Sequence, residues 1–286
     1  MFSNVVAATP TNRKQAATDM SQSFTERDEE LYSGTRDYQV VNRRGWAYLV
    51  RQNCDSCVPY GSERFAHAYD VLDPNGWIPW DEVNTVLCLA AGGGQQAPLL
   101  ASLGYHVTSV DLSPEQLQRD REEAAEKNLV VECIEADMLD LSLLHGRDFD
   151  LVYQPISACY VPDVGRLYQE VASVLRPGGS YHVEHWSPVS IQAGGWTGQG
   201  YHLAQPQASN VPVSWTIANV ENSGEVVTCW HYIHSLDQLI GGLCDTGFAL
   251  RKFAESQQGD LSAAPGSHAH LAAYVPPFFT LFAQRL

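Results

Sequence analysis

The residues with the plainest chemical potential in this sequence are a run of glycines and the acid that follows it. Ala90-Ala91-Gly92-Gly93-Gly94-Gln95-Gln96 joins an apolar run, Val86-Leu87-Cys88-Leu89, to a helix-forming stretch, and Asp111 comes nineteen positions after Gly92. Glycines at such a junction adopt backbone angles other residues avoid and let a ligand approach the main chain. A carboxylate at the end of the next strand can accept hydrogen bonds from both hydroxyls of a ribose. The pair therefore points to a bound nucleoside. Its identity stays open at this level, because Gly92, Gly94 and Ala97 also satisfy the G-x-G-x-x-A spacing of dinucleotide sites, which makes a nicotinamide-dependent oxidoreductase the rival reading. Against that rival, Glu135-Ala136-Asp137-Met138 follows the third expected strand and brings Asp137 to the adenine edge, where an acid accepts from the exocyclic amine.

Positioning these groups takes a regular scaffold, and the pattern after Trp80 supplies one. Val86–Leu89 is a short continuous apolar run, as in a parallel strand covered on both faces. Gln95–Leu103 is expected to be a helix ended by Gly104, and His106–Val110 a second strand closed by Asp111. Ser113 offers an N-cap, Pro114 the first helical position and Gln116 a capping-box partner for a helix to about Lys127. Leu129–Ile134, Asp148–Tyr153 and Tyr181–Trp186 read as the next three strands. Leu167, Val171, Val174 and Leu175 mark a helix that Pro177-Gly178-Gly179 should stop. Ser235 and Gln238 open a further helix, and Phe248–Phe253 and Phe278–Ala283 are the last strands. Such alternation implies right-handed crossovers and a doubly wound α/β sheet.

The flanks are different. Residues 1–30 read as a mobile tail, 31–80 as a helical cover broken near Asn53–Gly61, and 81–286 as the α/β domain. Within that domain, 187–230 breaks the rhythm and reads as a lid.

Composition narrows the partners. Thirty-three Asp and Glu against seventeen Lys and Arg give a formal charge of −16, a field that repels phosphate backbones and favours a cationic ligand. No nucleic-acid partner is expected. Seven cysteines, mostly in apolar runs (Cys88, Cys133, Cys159, Cys244), suggest free thiols in a reducing compartment. No apolar stretch approaches the ~20 residues of a membrane span, and the N-terminus lacks the order of a signal peptide. A cytoplasmic location without a membrane partner is the expectation.

Several motifs together resemble one family. The run from Val86 to Gly94 looks like motif I of class I S-adenosylmethionine-dependent methyltransferases. Val110-Asp111-Leu112-Ser113 resembles their ribose-binding motif and Ala136-Asp137-Met138 their adenine-binding motif. Phe149-Asp150-Leu151-Val152 resembles the fourth-strand motif, and Leu175-Arg176-Pro177-Gly178-Gly179 the turn before the fifth strand. The stretches Leu236–Phe248 and Tyr274–Ala283 resemble the last two strands of bacterial small-molecule members. The resemblance implies a seven-stranded, mostly parallel sheet with an antiparallel last strand. It implies S-adenosyl-L-methionine as cofactor, S-adenosyl-L-homocysteine as product and a small-molecule acceptor. It also implies cofactor contacts at Ala90, Ala91, Gly92, Gly94, Asp111, Leu112, Ala136, Asp137, Met138 and Gln154. Two positions depart from the family: Cys88 stands where an acid is usual, and Ala90 replaces the first glycine, which it can do if its φ is negative.

By this resemblance the reaction is direct methyl transfer from a sulfonium, so the protein mainly aligns the two partners and excludes water. A base is needed only for an acceptor that arrives protonated. The acceptor is expected beyond the carboxyl ends of the strands, near Tyr153-Gln154-Pro155, Tyr160 and Glu184-His185-Trp186. His185 is the expected base, weighed against a hydrogen-bonded histidine at a strand end, and Tyr160 the expected acceptor-site hydroxyl. Trp196, Trp215 and Trp230 in the lid either enclose a flat or cationic acceptor or pack the segment onto the sheet. Cys54-x-x-Cys57 has the spacing of a metal or redox pair, but no second pair at zinc spacing exists, so neither a metal site nor a redox pair is expected. His182/His185 and His231/His234 sit three apart, which in a strand puts the partners on opposite faces. Besides the methyltransferase, two readings stand: an NAD(P)-dependent oxidoreductase and a catalytically silent nucleoside-binding protein.

Overall fold

Seven strands form one sheet in the order β3-β2-β1-β4-β5-β9-β8. They are β1 (Thr85–Leu89), β2 (His106–Asp111), β3 (Val131–Glu135), β4 (Phe149–Gln154), β5 (Leu175–Trp186), β8 (Phe248–Glu255) and β9 (Phe278–Arg285). β1 to β5 pair in parallel, and β9 runs antiparallel to both its neighbours, β5 and β8. The expected doubly wound sheet with an antiparallel last strand is therefore present. The structure, a computed structural model, describes residues 38–207, 211–220 and 225–286, and the expected tail at 1–30 lies outside them.

Both faces of the sheet are covered, which is why its central strands carry no polar alternation. Leu87, Leu89, Val152, Tyr181 and Val183 pack on one face, beneath the helix Val164–Val174, which contributes Leu167, Val171 and Val174. Val86, Cys88, Leu151 and Tyr153 pack on the other, with Leu99 and Leu100 of the helix Gln96–Ser102 and Leu72 of the short helix Ala68–Leu72. Each of these large side chains contributes about 1.5–3 kcal/mol by leaving water.

The opposite end of the sheet, away from the glycine loop, is fastened by Asp150. Its Oδ2 accepts from the amides of Asn84 (3.0 Å) and Thr85 (2.9 Å), and its Oδ1 accepts from Arg176 Nε at 2.6 Å. This Arg176 contact accompanies an early start of β5: the helix ends at Val174 ahead of Pro177-Gly178-Gly179, as expected, and that motif is an irregularity within the strand, where Gly178 takes φ +76° and the register to β4 shifts.

Ahead of β1 lie α1 (Tyr38–Arg51) and the short helices Ser62–Ala66 and Ala68–Leu72. The segment after β5 contains a separate antiparallel pair, β6 (Val213–Val220) and β7 (Glu225–His231). This pair packs on α1: Trp230 N–H donates to Asn42 Oδ1 at 2.7 Å. The approach is close enough that a Cβ on Gly45 would stand 2.4 Å from Cys229 Sγ, so only glycine fits at that crossing. Among the described residues no helix is long and apolar enough to cross a membrane.

Candidate functional site

The glycine loop leaves the carboxyl end of β1 and is tied to β2, because the Ala90 amide donates to the Val110 carbonyl at 2.7 Å. Ala90 has φ +49°, so the expectation of a negative φ there is corrected. The left-handed conformation costs an L residue about 1–2 kcal/mol, a strain of the kind held in place by surrounding structure at functional sites. Gly93 and Gly94 follow with φ +109° and +77°. Gly92 is required by contact rather than by angle: a Cβ there would lie 2.5 Å from Gln116 Cβ and 3.1 Å from Asp111 Oδ2. The loop is also held from below. Gly94 N–H donates to Asp120 Oδ1 at 2.7 Å, while Asp120 Oδ2 accepts from Ser109 Oγ at 2.6 Å. Burial pushes the Asp120 carboxyl up to about 7. The sequence carried a sign of this acid, since Leu117, Asp120 and Ala124 share the buried stripe of the helix Pro114–Glu126.

Asp111 closes the other side of the crevice. Its Oδ1 accepts from the Ser113 amide at 2.8 Å and its Oδ2 from the Gly92 amide at 3.2 Å. Burial pushes this carboxyl up to about 6, against the pull of those two amides and of Leu112. A carboxylate offers about four acceptor directions in all, more than these amides use. Ser113 does cap the next helix, accepting from Gln116 N–H at 3.3 Å. The reciprocal half of the expected capping box is absent, because Asp111 already holds the Ser113 amide. The Gln116 side chain turns instead to Cys57 Sγ at 3.5 Å.

Beyond β3, the Ala136 amide donates to the Asp111 carbonyl at 3.2 Å, which joins the two expected binding motifs. Asp137 Oδ1 accepts from Leu139 N–H at 3.0 Å. Its Oδ2 accepts from the Tyr38 hydroxyl and the Gln39 amide, so the first turn of α1 lies over this edge. Arg43 of α1 also pairs with Glu135 at 2.6 Å. Tyr38 and Gln39 have no local signature, being 99 and 98 residues away from Asp137 in the chain. Met138 packs against the core and lies 3.6 Å from Gln154 Nε2. Gln154 itself is fully buried: its amide donates to Ser157 Oγ at 2.8 Å, and its carbonyl accepts from the Tyr181 hydroxyl. Its side chain thus orders the loop after β4 and presents nothing to a ligand, a correction to the expected cofactor contact.

The two expected catalytic residues part company. His185 is 2% exposed, enclosed on the side of the sheet that faces the helix Val164–Val174, with Nε2 3.1 Å from the Tyr168 hydroxyl. That hydroxyl donates to the Leu239 carbonyl at 2.9 Å, so Nε2 carries the proton toward Tyr168. Burial pushes the imidazole down to about 3. His185 is a core histidine in this arrangement, not a base facing an acceptor. Tyr160 is partly buried beside Trp46, ring centroids 5.3 Å apart at 88°, where α1 meets the loop after β4. Tyr153 is structural: its hydroxyl donates to the Leu72 carbonyl at 3.0 Å, and its ring stacks on His182 at 4.8 Å. His182 and His185 indeed face opposite sides of β5.

Alternation along β5 puts Glu184 and Trp186 on the side opposite His185. Glu184 pairs with Thr280 of β9 and lies one register position past Gln154, the last residue of β4. Its carboxyl interacts with Tyr60 and Tyr153, and burial alone pushes it up to about 7. Trp186 lies beside His231 at the end of β7, ring centroids 5.7 Å apart. Of the lid tryptophans, Trp196 packs on Tyr201 and His270, and Trp215 belongs to the cluster with Leu49 and Cys57.

These residues suit an adenosyl group by type: Asp111 offers acceptors for a diol, and the glycines beside it pack their Cα positions closely against Gln116, Cys57 and Pro59. Comparison with known proteins agrees with that reading. The methyltransferase-domain family matches residues 87–183. An uncharacterized methyltransferase of Bacillus subtilis is 30% identical over 231 residues, 78% of this chain and 88% of that protein. Two solved structures share the fold. A geranyl diphosphate C-methyltransferase from Streptomyces coelicolor, crystallised with S-adenosyl-L-homocysteine, has a TM-score of 0.57 at 18% identity, covering 88% of this chain and 99% of that one. An S-adenosylmethionine-dependent methyltransferase from Mesorhizobium loti has a TM-score of 0.56 at 23% identity, covering 79% and 99%. With that likeness to a methyltransferase over 78% of its length, and the strand order described above, this chain belongs to the class I S-adenosylmethionine-dependent methyltransferases.

Proposed function

We propose that the protein methylates a small-molecule acceptor, holding S-adenosyl-L-methionine in the crevice between the glycine loop and Asp111. The observation that carries the reading is the joint placement of Gly92 and Asp111: a loop position closed to any side chain, whose amide donates to a buried carboxylate at the end of the next strand. Bound there, the cofactor supplies an activated methyl group on a sulfonium. The chain's own residues then have separable tasks. Asp111 orients the ribose, and Ala136, Asp137 and Met138 line the adenine edge, with Tyr38 and Gln39 exchanging their bonds to Asp137 for the base. The helical section before β1 and the segment 187–230, acting as a lid, would exclude water from the bound cofactor.

Glu184 takes the role first expected of His185. It stands near the carboxyl end of β5, with a carboxyl raised to about 7 by burial. Such a group accepts a proton from an acceptor hydroxyl or amine near neutral pH, and its ionised form attracts a cationic acceptor. The charge of −16 supports the same class of acceptor. A cytoplasmic location agrees with the cysteine usage.

Calorimetry with S-adenosylhomocysteine and with NAD tests the cofactor. Binding of the first alone is expected, and binding of NAD alone would return the oxidoreductase. Transfer of labelled methyl into fractionated metabolite extract, with mass identification of the product, then names the acceptor. Tight S-adenosylhomocysteine binding without turnover on any fraction would move the protein to the silent nucleoside binders.

A further inference from the structure

The turn Cys54–Cys57 is fastened to the glycine loop from several directions. Gln95 Nε2 donates to the carbonyls of Asp55 (3.0 Å) and Val58 (2.9 Å), and the Gln116 amide reaches Cys57 Sγ at 3.5 Å. A Cβ on Gly93 would stand 3.3 Å from Cys57 Cα, and one on Gly94 2.8 Å from Pro59 Cγ. Within the turn, the Cys57 amide donates to the Cys54 carbonyl at 2.8 Å. An i to i+3 turn holds its outer Cα atoms within about 7 Å, close to the range that a disulfide spans. The two sulfurs are free thiols 3.2 Å apart, with Ser56 Oγ 3.0 Å from Cys54 Sγ.

The two thiols are not equivalent. Cys57 is fully buried and Cys54 half-exposed. The contact between the two sulfurs holds Cys54 below the ordinary thiol range, and the same contact raises Cys57. An accessible thiolate beside a sheltered second thiol is the arrangement in which one sulfur attacks and the other resolves.

We propose that Cys54 and Cys57 form a peroxide-oxidisable dithiol whose closure to a disulfide reshapes the glycine loop. The Cys54 thiolate attacks one oxygen of hydrogen peroxide; the O–O bond breaks, the departing hydroxide takes a proton and leaves as water, and Cys54 becomes a sulfenic acid. Cys57 sulfur then attacks Cys54 sulfur; the S–S bond forms, the S–O bond breaks, and the Cys57 proton leaves with the hydroxyl as a second water. Two thiols are oxidised, one peroxide is reduced to two waters, and a thiol reductant reverses the change. Closing the sulfurs from 3.2 Å to about 2.0 Å turns Cys57 Sγ away from the Gln116 amide. Gln116 is the residue whose Cβ abuts Gly92, so the loop feels the change. The dithiol chemistry stands by itself, whereas its effect on ligand affinity rests on the nucleoside reading above.

The test uses the full chain. Cleavage after Arg51 and Arg64 gives a peptide whose only cysteines are Cys54 and Cys57. After brief hydrogen peroxide, that peptide should have lost two hydrogens and refuse iodoacetamide, and dithiothreitol should restore both thiols. In Cys57→Ser, Cys54 should stop at a sulfenic acid that dimedone traps. Affinity for S-adenosylhomocysteine should fall about tenfold on oxidation, recover on reduction, and show no peroxide response in Cys54→Ser. Full alkylation of both cysteines after peroxide would overturn the dithiol, and a formed disulfide with unchanged affinity would overturn the coupling. Failure of S-adenosylhomocysteine to bind either redox state would strike at the nucleoside reading, and with it the coupling, while the peptide result judges the dithiol separately.

Discussion

The Gly92 amide and Asp111 Oδ2 lie 3.2 Å apart, so the glycine loop and the acid nineteen residues later form one assembly. The same carboxylate that would receive a ribose already braces the loop that would receive the rest of the ligand. Disturbing either residue should therefore disturb both.

Replacing Asp111 by Asn keeps the shape and removes the charge. Affinity for S-adenosylhomocysteine should fall by about 1–3 kcal/mol, the scale of hydrogen bonds to a charged group. Calorimetry on the folded variant gives the number directly. An unchanged dissociation constant would remove Asp111 from the ribose site.

The pH dependence of binding has a definite sign. Burial raises the Asp111 carboxyl to about 6. Ligand hydroxyls donate to the ionised carboxylate, so binding favours loss of that proton. Affinity should be constant above about pH 7 and decline as pH drops through 6, with proton release on binding near that pH. Isotherms in buffers of different ionisation enthalpy measure the released proton; a flat profile from pH 5 to 8 would contradict the assignment.

Gly92→Ala tests close contact. Its Cβ would meet Gln116 Cβ at 2.5 Å, a backbone-proximal atom with no rotamer that clears it. The expected destabilisation is about 1–3 kcal/mol, as for overpacked sites, together with loss of ligand binding. Ala90→Gly should behave in the opposite way. It relieves about 1–2 kcal/mol of left-handed strain, partly offset by about 0.4–1 kcal/mol of added unfolded-chain entropy. Denaturant unfolding should show equal or higher stability, and a clear loss would mean that the φ of +49° is not strained.

Tyr168→Phe separates the structural role of His185 from a catalytic one. The change deprives both His185 Nε2 and the Leu239 carbonyl of their partner. Stability should drop by about 1–3 kcal/mol for the orphaned buried groups, while turnover per folded molecule is retained. A selective loss of turnover at full stability would return His185 to the reaction.

Glu184→Gln makes the complementary test. S-adenosylhomocysteine affinity should be unaffected, and turnover on the identified acceptor should fall by about 10²-fold or more if the acceptor loses a proton. In the parent enzyme, kcat/KM should rise with pH through about 7, because the ionised carboxylate is the active form. A pH profile that is the same in parent and variant would sink the proposal.

The crevice was largely legible before the fold. Glycines between an apolar run and a helix, an acid at the next strand's end, and Ser113-Pro114 opening the helix are all local features, set by backbone angles and near-neighbour bonds. The doubly wound sheet followed from alternation alone, as did the antiparallel final strand once the family motifs were recognised. The acceptor end was not legible. Nothing in Glu184-His185-Trp186 says which of three adjacent side chains faces a ligand, because side direction in a strand is decided by which face each helix covers. His185 drew attention by its chemistry, yet Tyr168 and Phe279 enclose it, while the less conspicuous Glu184 lies on the other face. Likewise Asp137 stands out in the sequence as an acid after the third strand, but its partners Tyr38 and Gln39 come from the far end of the chain. The sequence by itself determined the strand order's ingredients and the nucleoside motifs, since these depend on local periodicity and spacing. Only the tertiary structure decided which groups are buried, which are paired across long separations and which stand free at the carboxyl edge, because burial and long-range contact are properties of packed faces and not of neighbours in the chain.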